Sequence, residues 1–95
     1  MSSKIQDDQW IWIVIQNPGK DEHFLGQHDE DKNESFIPTF LEKEEAEKAL
    51  PFLVKEEGSS YEIQAIRYDD LVERASKEGF LIMVLDGSGR VITKR

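Results

Sequence analysis

The chain contains no cysteine among its 95 residues. That excludes disulfides, thiol nucleophiles and cysteine-ligated zinc, and it suits a reducing compartment. Basic residues are outnumbered: 12 Lys and Arg stand against 20 Asp and Glu, for a net charge of -8. A surface this acidic repels phosphate backbones and anionic lipid headgroups, so binding to nucleic acid and to membranes is expected to be absent. Long hydrophobic runs are missing as well. Trp10–Ile15 and Phe80–Leu85 hold six residues each, far below the roughly 20 that cross a bilayer. Asp7 and Asp8 precede the first run, where a secretion signal would carry basic residues. The expectation is a soluble cytoplasmic protein.

What is present is one domain's worth of chain. Hydrophobic residues make up 38% and charged residues 34%, enough for one modest core under a charged surface. The stretch Phe80–Lys94 organises the rest. Its apolar run is followed by Asp86-Gly87-Ser88-Gly89 and then by Arg90-Val91-Ile92-Thr93. The pattern predicts a strand, a tight turn and a second strand. A run with no polar face wants cover on both sides and so belongs inside a sheet. Trp10–Ile15 reads the same way. Alternation puts Trp10, Trp12 and Val14 on one face and Ile11, Ile13 and Ile15 on the other.

Between these runs the punctuation is regular. Residues 1–8 are polar and are expected to be disordered. Asn17-Pro18-Gly19 ends the first strand. A short strand is expected at His23–Gln27, and another at Ser35–Thr39, where Pro38 suits a sheet edge. Thr39 and Glu42 have capping-box spacing, which predicts a helix from Leu41. Ala46, Ala49, Leu50 and Leu53 give that helix an apolar stripe, and Pro51 predicts a break in it. Tyr61–Ile66 is a third strand. Tyr68-Asp69-Asp70 opens a second helix whose left-handed cap is expected at Gly79. The fold expected is α+β (mixed α/β): residues 9–95 as a single domain, with one mixed sheet of four to five strands and two helices packed on it.

Few constellations carry chemistry. His23, His28, Asp29 and Asp31 lie in the acidic stretch 21–34, and imidazole with carboxylate is a workable metal set. Asp29-Glu30-Asp31-Lys32-Asn33 opens like a calcium loop, but Glu34 stands where the sharp turn needs Gly. Ser88 has glycines immediately beside it and not two residues away, so it is no nucleophile elbow. No serine–histidine–carboxylate set and no carboxylate pair in an apolar setting stands out, so no catalytic residue and no cofactor are expected. Trp10 and Trp12 point the same way from one strand, with Tyr61 as a possible neighbour. Such aromatics either fill a core or anchor an interface.

One resemblance bears on these pieces. Phe36-Ile37-Pro38-Thr39-Phe40, Lys43-Glu44-Glu45-Ala46, Tyr68-Asp69-Asp70-Leu71 and Leu85-Asp86-Gly87-Ser88-Gly89 follow one another in an order similar to the N-terminal domain of the enhanced-serine-sensitivity B family. There a Pro-containing strand leads into an acidic helix, and a second helix leads to a strand ending in a Gly-containing turn. The departure is at Leu85-Asp86-Gly87, where that family more usually has an Asn-Pro turn. The resemblance spans about residues 10–93 and implies a small bacterial α/β domain with no established enzymatic activity. Two functions are therefore expected as alternatives. One is a non-enzymatic interaction or regulatory module that binds a protein partner or itself through Trp10, Trp12 and Tyr61. The other is a metal or small-ligand binder using His23, His28, Asp29 and Asp31.

Overall fold

The computed structural model describes residues 5–94. The first apolar run becomes β1 (Trp10–Gln16). It is followed by β2 (His23–Phe24), β3 (Gln27–Asp29) and β4 (Glu34–Phe40). Helix α1 (Lys43–Ala49) ends in a 3-10 turn over Leu50–Phe52. Then come β5 (Tyr61–Arg67), α2 (Tyr68–Glu78), β6 (Leu81–Leu85) and β7 (Val91–Lys94).

The main path across the sheet is β5-β1-β4-β6-β7. Strand β5 lies antiparallel to β1 in unbroken register from Trp10↔Arg67 to Gln16↔Tyr61. The other edge of β1 is shared. Trp12 and Ile13 face Phe40 and Thr39 of β4, while Ile15 and Gln16 face Phe24 and His23 of β2. Strand β4 in turn pairs Glu34–Phe36 with β3. So β1 and β4 fork, and the β2–β3 segment fills the opening. The Leu25 N–H donates to the Val14 carbonyl at 2.9 Å inside the fork. Gly26 at the bend leaves room for the Phe80 ring, since a Cβ there would come within 2.8 Å of its Cε1 and the ring would have to shift.

This fork corrects two expectations. Among the described residues the sheet has seven strands, not four or five, because both short segments join it and the first divides at Leu25-Gly26, each half serving a different neighbour. Pro38 also lies in a central strand and not at an edge. It is in register with Met83 of β6, but Ile37 and Pro38 fall between the β3 and β1 pairings and face no register partner on that side. A residue that cannot donate is tolerated there because the ladder is already interrupted.

Among the described residues, only β4 and β6 are parallel neighbours. Both helical crossovers skip strands: β4–α1–β5 passes over β1, and β5–α2–β6 passes back over β1 and β4. The two crossovers run in opposite directions across the sheet. A single crossover hand therefore puts the helices on opposite faces. That is why β1 is apolar on both sides. Ile11, Ile13 and Ile15 join Ile37, Ile82, Leu71 and Ala75 under α2. Phe40, Met83 and Leu85 join Ala46 and Ala49 under α1, with Trp12 and Ile63 at the margin.

The helix ends show which local signals held. Gly79 closes α2 at φ 78°, and the Phe80 N–H donates back to the Ala75 carbonyl at 2.9 Å. Pro51 breaks α1 as expected. The capping box does not form. Thr39 stays in β4, fully buried, with its hydroxyl donating to the Ile37 carbonyl at 3.2 Å, and α1 starts only at Lys43. Strand pairing with Ile13 competed for Thr39 and won. Of the expected disordered stretch, residues 1–4 lie outside the described residues. Ile5 packs against the α2-side core, and the Asp7 carbonyl accepts the Asp69 N–H at 2.9 Å, so residues 5–8 are tied to α2.

The β6–β7 turn is built on Asp86. Its Oδ1 accepts from the Ser88 hydroxyl at 2.8 Å, the Ser88 N–H at 2.9 Å and the Arg90 N–H at 3.0 Å. The Ser88 hydroxyl, the Arg90 and Ser88 amides and the Arg90 charge hold the Asp86 carboxyl below its ordinary value of 3.8. A carboxyl more acidic folded than unfolded stabilises fully above the unfolded value, and that stabilisation is lost as pH falls through the folded one. Asp86→Ala is expected to lower the urea midpoint at neutral pH, and the gap to wild type should narrow below about pH 4. A gap that stays constant into strong acid would show that the Asp86 charge adds nothing.

Candidate functional site

Helix α1 has only seven residues and stops short of one end of the β1–β5 pair. Trp12 is half-buried at the margin of the α1-side core, with the Lys43 ammonium 5.7 Å from its ring centroid. Trp10, one side-chain period earlier on the same face, runs past the helix and is 60% exposed. Register places Arg67 beside Trp10 and Ala65 beside Trp12. Ala65 is exposed. The Arg67 guanidinium pairs with Asp69 at 2.8 Å, and its Nε is buried without a hydrogen-bond partner among the described residues. On this face Trp10 and Ala65 are exposed beside the half-buried Trp12. Indoles supply large contact area at little entropic cost, the property that makes them interface anchors.

Tyr61 is not part of this patch. It lies opposite Gln16, at the far end of the strand pair from Trp10. Its hydroxyl accepts the Glu56 N–H at 2.6 Å and donates to the Glu56 carbonyl at 3.0 Å, closing the loop that leads into β5. Beside it lies a hub that the sequence did not signal. Gln16 is 7% exposed and its amide nitrogen donates to Glu56 Oε1 at 3.0 Å and Ser59 Oγ at 3.1 Å. Only a buried glutamine at the end of an otherwise apolar strand hinted at it.

The metal candidates do not converge. His23 lies 3.1 Å through Nε2 from Gln16 Oε1 and 3.0 Å through Nδ1 from the Asp21 carbonyl. His28 lies on a different strand, 3.1 Å through Nδ1 from Ser35 Oγ. Asp29 accepts the Asp31 and Lys32 amides at 3.1 and 3.4 Å, which is turn chemistry, and Asp31 is exposed. Among the described residues, no group of three or more His, Asp or Glu side chains could hold a metal ion. The fork is the reason, since it sends β2 to β1 and β3 to β4.

His28 and Ser35 line an open cleft of about 440 Å3 with Glu30, Val54 and Phe80. Their contact follows from register, since His28 and Ser35 are direct cross-strand partners. An activated serine also needs the histidine's second nitrogen oriented by a third group and donors for an oxyanion. Glu30 makes no hydrogen bond to His28 among the described residues. The neighbouring Gln27 amide is spent on Val54, donating to its carbonyl and accepting its N–H at 2.8 Å each.

Fold and patch together define a mixed α/β domain with one helix on each face of a forked sheet and an aromatic patch at one edge. No match to the chain is found among protein-family models, curated proteins or solved structures. Among the described residues, no helix is long and apolar enough to cross a membrane.

Proposed function

We propose that this protein is a non-enzymatic interaction domain, cytoplasmic and regulatory in role, whose contact surface is the open end of β1 and β5. The observation that carries this reading is Trp10. An indole 60% exposed on a central strand, beside the half-buried Trp12 and the exposed Ala65, leaves unburied the kind of residue that dominates interface energetics. The resemblance to the enhanced-serine-sensitivity B family points the same way, to a small domain without established chemistry. The acidic surface, at net charge -8, favours a protein partner over nucleic acid or an anionic membrane.

The test is selection of random extended peptides on the immobilised protein, with Trp10→Ser as the comparison. An exposed position of this kind costs the fold no more than about 0.5 kcal/mol. Enriched peptides are expected to lose at least about tenfold in affinity on Trp10→Ser, the scale of an interface anchor. Absent enrichment, or enrichment indifferent to Trp10, would overturn the reading.

A further inference from the structure

Both ends of the β1–β5 ladder reveal which backbone groups of β5 face outward. The Asn17 N–H donates to the Ser60 carbonyl at 2.8 Å, and the Tyr68 N–H donates to the Gln9 carbonyl at 2.9 Å. Both pairs continue the register of Trp10↔Arg67 and Gln16↔Tyr61. In an antiparallel ladder such hydrogen-bonded pairs recur at every second residue. Glu62, Gln64 and Ile66 therefore turn their amides and carbonyls toward β1. Tyr61, Ile63, Ala65 and Arg67 turn theirs away from the sheet. The alternation also holds on the far side of β1, where the Val14 carbonyl points to β2 and accepts the Leu25 N–H. Among the described residues, β5 pairs with β1 alone.

Natural sheets guard such edges with charged side chains, Lys above all, with Pro, a bulge or a very short strand, or with a covering helix or loop. Strand β5 has no Lys, Pro or bulge and is seven residues long, Tyr-Glu-Ile-Gln-Ala-Ile-Arg, in unbroken register; its two charges, Glu62 and Arg67, leave Ile63–Ile66 between them uncharged. The opposite edge is guarded. Strand β7 follows a register shift between Val84 and Leu85 and carries Lys94.

We propose that β5 is a self-pairing edge: two copies of this chain join their β5 strands antiparallel about a twofold axis at Gln64, forming one continuous sheet. The proposal rests on the interaction reading above and extends it to the outer edge of the same strand pair. Charge favours a second copy. Within β5, Glu62 and Arg67 cancel, so this strip is neutral on a chain of net charge -8. With the axis at Gln64, no two like-charged residues of the paired strands stand directly opposite one another.

The twofold register also uses every outward group. Tyr61 faces Arg67 of the second copy, and Ile63 faces its Ala65. Four residue pairs at two bonds each give about eight hydrogen bonds. Moving the axis by one residue along the strand leaves outward groups at one end unpaired. On the α1 face, the row Trp12–Ala65 continues into Ile63–Val14 of the second copy, so the exposed Ala65 is covered. Gln64 meets its own copy, and primary amides are self-complementary as donor and acceptor.

Sedimentation velocity from about micromolar to about millimolar protein tests this, with Ala65→Pro and Ala65→Lys as variants. Proline at 65 removes an N–H that faces away from β1, so the β1–β5 ladder keeps all its own bonds. Far-ultraviolet circular dichroism checks the fold, and Ala65→Lys guards the edge without touching the backbone should proline unfold the chain. Wild type is expected to pass from monomer to dimer, and both variants to weaken dimerisation at least about tenfold. Amide exchange gives the register. Ile63, Ala65 and Arg67 amides should slow as concentration rises, while Glu62 and Gln64 should not. A wild type that stays monomeric throughout, or a dimer indifferent to both variants, would overturn the proposal. Should the monomer still enrich Trp10-dependent peptides, self-pairing fails and the interaction reading stands. Failure of both assays removes both.

Discussion

Phe40→Ala is expected to cost about 3–5 kcal/mol of folding stability, among the largest effects a single substitution can have here. Phe40 is the largest fully buried side chain, at 0% exposure. It ends β4 where that strand meets β1 opposite Trp12. Its ring is enclosed by Ala46 and Ala49 of α1 and by Met83 and Leu85 of β6. The two alanines let the helix sit close to the sheet but cannot reach into the space the ring would leave. Sheet backbone cannot collapse into it either, so most of the cavity persists and its cost adds to the lost transfer energy. A domain of this size holds only about 5–15 kcal/mol in total. The check is a urea titration in which the midpoint falls and the slope is unchanged. Trp12 fluorescence should shift with it, because Trp12 borders the same cluster. A midpoint within experimental error of wild type would mean that α1 is not held by this ring.

Leu71→Ala tests the other face and is expected to cost about 2–5 kcal/mol. Leu71 is 0% exposed in α2 and packs with Ile11, Ile13, Tyr68 and Ala75. It stands one turn from the Tyr68 and Asp69 amides that bind the Gln9 and Asp7 carbonyls. Loosening α2 should therefore speed exchange of those two amides, an effect Phe40→Ala should not reproduce selectively. Phe40 and Leu71 belong to separate clusters on opposite faces, so their costs should add to within about 0.5 kcal/mol. The double variant then loses about 5–10 kcal/mol, of the same order as the whole stability of such a domain, and is expected to be largely unfolded at room temperature. A double variant no worse than either single one would show that the two cores are not independent.

Much of this architecture is legible in local pattern. Two six-residue apolar runs, with neither face polar, had to be covered twice, and they became β1 and β6 inside the sheet. Gly79 and Pro51 acted where their backbone chemistry demanded. Asp86-Gly87-Ser88-Gly89 made its turn because the Asp86 carboxylate gathers the amides that follow it. Thr39 misled because a capping signal is local and strand pairing with Ile13 is not. Pro38 misled for the same reason: its tolerance in a central strand depends on a gap made by residues 27–29 and 12–13, distant from it in sequence. The candidate site was half legible. Trp10 and Trp12 share a face by alternation alone. Tyr61 is not legible in this way, because the register of β5 on β1, which sets it beside Gln16, cannot be read from either strand.

Sequence alone determined the strand-forming runs, the helix stops, the acidic surface and the lack of thiol chemistry, since each rests on the properties of residues within a few positions of one another. Tertiary structure decided the fork, the opposite placement of the helices, the separation of His23 from His28 and the bare outer edge of β5. Those depend on which strands lie side by side, and pairing is a contest among distant segments for the same hydrogen bonds and the same buried faces.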